Sequence, residues 1–141
     1  MKAVYPVVFT QTNDEKDTIL IEIPDLDIVT EGFGMVDAIK MARDAIGLKG
    51  ITLEDMKQPI PIPSKIKDID TSILEFRECG DMFISMVDVD FKMYRRIMDN
   101  KSVRRNVALP NWLNREAEQA HINVSKVLQE ALIEVLGLNK L

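Results

Sequence analysis

Cysteine and histidine are nearly absent from this chain, which holds one of each, Cys79 and His121, in 141 residues. A single cysteine forms no intrachain disulfide, and one histidine with one cysteine gives no Cys/His metal cluster. The longest apolar stretches, Val4–Phe9 and Ile19–Ile23, fall far short of the ~20 residues that a membrane-spanning helix needs. The first residues carry no basic stretch leading into a long apolar segment, so no secretory leader is expected. Gly/Ser-rich linkers, internal repeats and low-complexity tracts are also missing. These absences point to a cytoplasmic, metal-free and cofactor-free protein of one mid-sized domain or two small ones.

What is present is unevenly distributed. Residues 1–100 carry 12 basic and 19 acidic side chains, a net of −7. Residues 101–141 carry 6 basic and 4 acidic, a net of +2. Lys92, Arg95, Arg96, Lys101, Arg104 and Arg105 fall within fourteen residues, opposed only by Asp99. Two halves of opposite charge suggest two partners of opposite charge.

The first half reads as a mixed α+β domain. Val4–Thr10 is β-branched and apolar, Gln11–Asp17 is a polar turn, and Thr18–Ile23 completes a hairpin. Pro24 ends that strand because proline has no N–H for a ladder. Asp27–Gly32 reads as a short third strand or a loop. Val36, Ile39, Ala42, Ala45 and Ile46 fit one stripe of a helix that starts at Met35 and is expected to stop at Gly47. Thr52–Met56 suggests a separate helical turn. Gln-Pro-Ile-Pro-Ile-Pro-Ser at 58–64 is extended without a ladder, since three alternate prolines restrict both their own φ and the preceding residue. Met82–Phe91 alternates as a long strand, with Met82, Met86 and Met93 as core filler. Lys92–Asp99 has helical composition and is expected to join the halves.

The last ~40 residues carry the sharpest pattern. Val103–Pro110 reads as a strand with Arg104, Asn106 and Ala108 on one face and Arg105, Val107 and Leu109 on the other. A helix over Asn111–His121 follows, with Trp112 packing near its start. Asn123 is placed to cap a second helix bearing Val124, Val127, Leu128, Ala131, Leu132, Val135 and Leu136 on one broad apolar stripe, which Gly137 ends. A lone strand leaves its N–H and C=O groups without partners, and so short a unit buries little apolar surface. Two copies pairing their strands and sharing their helices solve both problems, so a homodimer through this half is expected, with higher oligomers left open. A two-stranded ribbon enters the DNA major groove, where arginine suits guanine and asparagine suits adenine. Lys101 and Arg105 could reach phosphates, as could the free N–H groups at Asn123 to Ser125.

Arg-Asn-Val-Ala-Leu-Pro-Asn-Trp-Leu, then Ala117-Glu118 and Ile122-Asn123-Val124-Ser125, resembles the ribbon-helix-helix repressors over about Ser102 to Leu138. The resemblance implies base reading by Arg104, Asn106 and Ala108 and a backbone grip by Asn123, Val124 and Ser125. The first half resembles the HicB antitoxins over about Met1 to Asp90, through Tyr5, Ile23-Pro24-Asp25-Leu26, Thr30-Glu31-Gly32, Ala38 and Pro61 to Ser64. That family's N-terminal domain resembles a truncated RNase H fold. The chain then comprises a HicB-like toxin-binding domain over 1–91, a linker over 92–101 and a ribbon-helix-helix domain over 102–141. The resemblance implies that the first domain binds and neutralises a HicA-type toxin, a small basic RNA-cleaving protein, while the second binds operator DNA and represses the antitoxin's own genes. A negative surface would suit such a partner, and Asp25, Asp27, Glu31, Asp88 and Asp90 are its candidate contacts. Catalysis is not expected, because Val4–Thr10 lacks the acidic residue that an RNase H-type metal site usually places on its first strand. The rival readings are a repressor whose first half senses a small molecule, an RNase H-like enzyme using Asp88 and Asp90, and a pure dimerisation module.

Overall fold

Four antiparallel strands form one sheet in the order β3-β2-β1-β4, with β1 over Lys2–Gln11, β2 over Thr18–Ile23, β3 over Ile28–Phe33 and β4 over Asp81–Asp90. The computed structural model describes residues 1–99 and 101–138, and the chain divides into two compact units, Met1–Asn100 and Lys101–Leu141. The β1–β2 hairpin pairs Val8 with Glu22 and Gln11 with Ile19, and β4 lies along all of β1 from Lys2↔Asp90 to Gln11↔Asp81. Pro6 stands in the second strand from one edge, but the β1–β2 register begins only at Val8. At Pro6 the strand has β4 on one side alone, so its missing N–H need not break a ladder.

The alternation of β1, β2 and β4 turns Tyr5, Val7, Phe9, Ile19, Ile21, Ile23, Val87 and Val89 toward one core. Helix α1, Met35–Asp55, covers that core with Ala38, Ala42 and Ile46. Of the expected stripe, Ala42 and Ile46 are buried and Ala45 packs against the core, whereas at the start of the helix Val36 is 88% exposed and Ile39 also faces outward, with Ala38 buried instead. The reason lies at Gly32, where a Cβ would sit 2.6 Å from the Cα of Ala38. So close an approach admits alanine between helix and sheet and leaves no room for a bulkier side chain.

Helix α1 also runs through Gly47, the expected stop, and Thr52–Asp55 forms its last turn. Gly47 and Gly50 serve packing rather than termination. A Cβ on Gly47 would meet the Tyr94 ring at 2.5 Å, and one on Gly50 the Phe91 ring at 2.1 Å. Both aromatic residues belong to α2, Phe91–Met98, which sequence analysis placed largely in the linker and which packs on α1. Arg95 fastens the pair, bonding Glu54 at 2.8 Å and Asp55 at 3.0 Å. The true end of α1 is a left-handed Lys57 (φ 56°), with its N–H donating to the Glu54 carbonyl and that of Gln58 to Leu53.

Residues 58–65 are extended and carry no strand, as the alternate prolines require. The Tyr5 hydroxyl donates to the Pro61 carbonyl at 2.6 Å, and Ile60 packs against the core. Two 3-10 turns follow at Ile66–Asp68 and Thr71–Ile73, and this segment buries Leu74 and donates the Glu75 N–H to the Glu22 carboxylate. Met86 and Met93, expected as core filler, are 41% and 40% exposed. Met86 stands on the edge strand β4 opposite Pro6, itself buried, on the inner strand β1.

The second unit contains α3, Asn111–Gln119, and α4, Val124–Val135. His121 links them in the left-handed region (φ 54°), with its N–H donating to Glu118 and that of Ile122 to Ala117. Residues 101–110, which include the segment 103–110 expected to pair with a second copy, form no strand in the single chain, and every one of them is exposed. A strand exists only with a hydrogen-bonded neighbour, and among the described residues this segment has none. Trp112 is 63% exposed rather than packed, and the α4 stripe lies open, with Leu132 49% and Val135 81% exposed.

Candidate protein and nucleic-acid interfaces

The five acids singled out in the first unit do not converge. Glu31 stands on β3, one edge of the sheet, and Asp88 and Asp90 stand on β4, the other edge, with β2 and β1 between. Each of three has a local task. Asp25 accepts the Ser64 N–H at 2.8 Å and the Ser64 hydroxyl at 2.6 Å, tying the proline-rich segment to the end of β2. Asp88 pairs with Arg43 at 3.0 Å, with side chains 77% and 48% exposed; solvent screening limits such a pair to about 0–1 kcal/mol. Asp90 caps α2 by accepting the N–H groups of Lys92 and Met93, at 3.1 and 3.2 Å. Those backbone bonds, that of Met93 foremost, hold its carboxyl below the ordinary aspartate range.

Burial, and next the nearby Asp25 charge, raise the Tyr5 phenol above its ordinary value, so it stays a neutral donor to Pro61. Asp27 is exposed and left-handed (φ 52°), closing the 3-10 turn Pro24–Leu26. With Asp25 it lines a groove of about 410 Å³ that also takes in Glu22, Asp68 and Asp70. Nothing in the sequence pattern joins those three carboxylates to Asp25. More than 40 residues separate Asp25 from Asp68, and only the return of the chain past Ser64 brings them together. Asp70 also accepts bonds from its neighbour Ser72, which lower its carboxyl. The groove offers a basic side chain several negative charges at one end of the sheet. Among the described residues, no group of three or more His, Cys, Asp or Glu side chains is arranged to hold a metal ion, and no helix is long and apolar enough to cross a membrane.

In the second unit Lys101, Arg104, Arg105, Asn106 and Ala108 all lie on the exposed irregular segment 101–110, which has no strand partner among the described residues. Asn123 caps α4, its side-chain oxygen accepting the Lys126 N–H at 3.1 Å. The N–H groups of Val124 and Ser125 precede the first intrahelical bonds and point out of the helix start, where an anion could be held. Gly137 (φ 64°) closes the helix, its N–H donating to Glu134 and that of Leu138 to Ile133. All eight residues named for DNA contact are exposed.

A search of curated proteins gives no match. Among solved structures, a toxin–antitoxin complex from Streptococcus pneumoniae contains a chain that superposes with a TM-score of 0.60 at 23% identity, covering 95% of this chain and 99% of that one. The Burkholderia pseudomallei antitoxin HicB matches with a TM-score of 0.47 at 22% identity, covering 97% of this chain and 98% of that one. The likeness to the streptococcal chain shows a shared fold. Residues 5–132 match the family described as the HicB-like antitoxin of bacterial toxin–antitoxin systems. The match spans both units, from Tyr5 under the proline-rich segment to Leu132 on the open stripe of α4, and the chain belongs to the HicB-like antitoxin family.

Proposed function

We propose that this cytoplasmic antitoxin binds and neutralises a HicA-type mRNA-cleaving toxin through its first unit, and that its second unit is a ribbon-helix-helix domain that dimerises, binds operator DNA and represses the antitoxin's own genes. The first unit is then a partial RNase H-like fold without catalytic activity. The observation that carries the reading is the contrast between the units. The first closes its core with its own sheet and helix, whereas the second leaves its strand segment and apolar stripe open.

Several features support it. The acidic first half suits a basic RNA-cleaving partner, since complementary potentials speed encounter and select the partner. The groove of Glu22, Asp25, Asp27, Asp68 and Asp70 concentrates that charge. The streptococcal neighbour is part of a toxin–antitoxin complex, which favours a toxin as the partner. Paired with a second copy, residues 103–109 would form a two-stranded ribbon with Arg104, Asn106 and Ala108 on its outer face. Lys101 and Arg105 would reach phosphates, as would the start of α4.

A small-molecule sensor is the competing reading. The apolar groove lined by Ile28, Ala45, Leu48, Lys49 and Thr52 is its best support, and at about 290 Å³ it falls at the lower end of ligand pockets.

Co-expression with the neighbouring small open reading frame, followed by purification through a tag on this chain, separates the two. Co-purification of a small basic protein that is toxic when expressed alone is the expected result; failure to recover any such protein would sink the antitoxin role. For the second unit, Arg104→Ala or Asn106→Ala is expected to weaken operator binding by about 1–3 kcal/mol in a titration at fixed salt. Unchanged affinity in both variants would leave only a dimerisation module.

A further inference from the structure

The sheet of the first unit ends on two edge strands, β3 and β4, and they are finished differently. At β4 the Arg43 guanidinium donates from Nε to the Asp88 carbonyl at 3.1 Å and pairs with the Asp88 carboxylate. At β3 the Phe33 N–H donates to the Asp37 carboxylate at 2.9 Å, which closes one end of the strand. From Ile28 to Glu31 the strand has β2 on one side alone, and among the described residues none of its backbone groups bonds outside the sheet. Such an edge is a template for pairing with another strand.

Each face of that edge carries an apolar hollow. On the α1 side lies the groove of about 290 Å³ lined by Ile28, Ala45, Leu48, Lys49 and Thr52. On the opposite face a hollow of about 340 Å³ is lined by Leu20, Val29 and Phe76 and reaches the strand at Thr30 and Glu31. Val29 and Leu48 are each 50% exposed. Successive residues of a strand point to opposite faces, so a segment added along β3 sends alternate side chains into the two hollows. The faces differ in charge. The outer one has Glu31 exposed on β3 and Glu22 beside Val29 in the register, with the acidic groove adjoining at Glu22. A long basic side chain fits there, its aliphatic stem over Leu20, Val29 and Phe76 and its charged head at the carboxylates. The α1 groove, with Lys49 in its wall, suits an apolar side chain.

We infer that the first unit receives its partner by strand addition: an extended segment of the basic toxin, alternating apolar residues with lysine or arginine, pairs with the open edge of β3 from Ile28 to Glu31. Its apolar side chains enter the α1 groove, and its basic ones lie over Leu20 and Val29 and reach Glu31 and Glu22. This deepens the toxin-binding reading above and rests on it. Leu48 and Val29 then join Glu31 in the contact, while Asp88 and Asp90 on β4, the opposite edge, lie outside it. Backbone pairing supplies affinity, and the two unlike hollows select a strand of alternating character.

The test uses the full chain and the purified product of the neighbouring small open reading frame. Residue-resolved amide hydrogen exchange of this chain is compared with and without saturating partner, and affinities are measured by titration at fixed salt. Outward amides between Ile28 and Glu31 should exchange about tenfold more slowly in the complex, or slower still. Leu48→Gln and Glu31→Gln should each weaken binding about tenfold, and Glu31→Gln should also flatten its dependence on salt. Met86→Gln and Asp88→Asn, on β4, should leave the affinity unchanged. All four side chains are exposed, and the thermal transition of the first unit checks that each variant is folded. Full affinity in both Leu48→Gln and Glu31→Gln, or a loss confined to the two β4 variants, would overturn the β3 edge while leaving the antitoxin reading. Weakened binding with the β3 amides exchanging as before would overturn strand addition. Protection of those amides in the chain alone would give the edge to a second copy and overturn the inference too. A neighbouring product that no version of the chain binds would overturn this inference and the antitoxin reading together.

Discussion

Ile21 and Leu132 are both aliphatic, both at regular positions of a well-formed element, and both apolar by the same sequence rule. Ile21 is fully buried within its own chain, and Leu132 is half exposed. The first unit wraps a helix and a long coil around a four-stranded sheet and needs nothing more. The second has the periodicity of a core but only one side of it. A clean apolar stripe therefore reports that a surface will be covered, and says nothing about which chain covers it.

The contrast can be broken from the first unit's side. Ile21→Ala should lower the stability of that unit by about 2–5 kcal/mol, since a buried aliphatic is truncated in a closed core. Urea unfolding followed by the signal of the first unit measures this, and self-association of the second unit should be unaffected. Gly50→Ala should cost about 1–3 kcal/mol, because the new Cβ falls 2.1 Å from the Phe91 ring and pushes α2 away from α1. The same unfolding experiment reads it; a neutral result would mean that α2 is not seated on α1.

A smaller effect comes with pH. Hydrogen bonds from Thr18 hold the Asp14 carboxyl below its ordinary value, and backbone bonds do the same for Asp90. A carboxyl lowered on folding contributes stability above its unfolded pKa of ~3.9, and that contribution is lost as pH falls through the lower folded value. The first unit should therefore lose stability below about pH 4. Asp14→Asn and Asp90→Asn should each flatten the slope, and an unchanged slope would assign the loss to other carboxyls.

Much of the first unit was legible from local chemistry. The hairpin, the alternation of β4 and the extended proline segment follow from β-branching, period two and fixed φ. The inward-facing residue at the start of α1 and the passage of the helix through Gly47 were not legible, because both depend on partners distant in sequence. Ala38 faces inward because Gly32 lies against it, and Gly47 lies inside the helix because Tyr94 covers it. Among the candidate acids, Asp25 stood out in the sequence, but its bond to Ser64 and its company with Asp68 and Asp70 required the chain to return. In the second unit the Asn123 cap and the Gly137 stop were readable, since caps are local. The expected strand at 103–110 is not formed in one chain, since a strand is a relation between two segments.

The division of labour is tested most directly by Leu132→Asp in the full chain, comparing operator binding with capture of the toxin partner. A charge on the open stripe of α4 should abolish self-association and operator binding while partner capture stays at the level of the unaltered chain. Loss of both activities, or retention of both, would contradict the assignment of toxin and DNA to separate units.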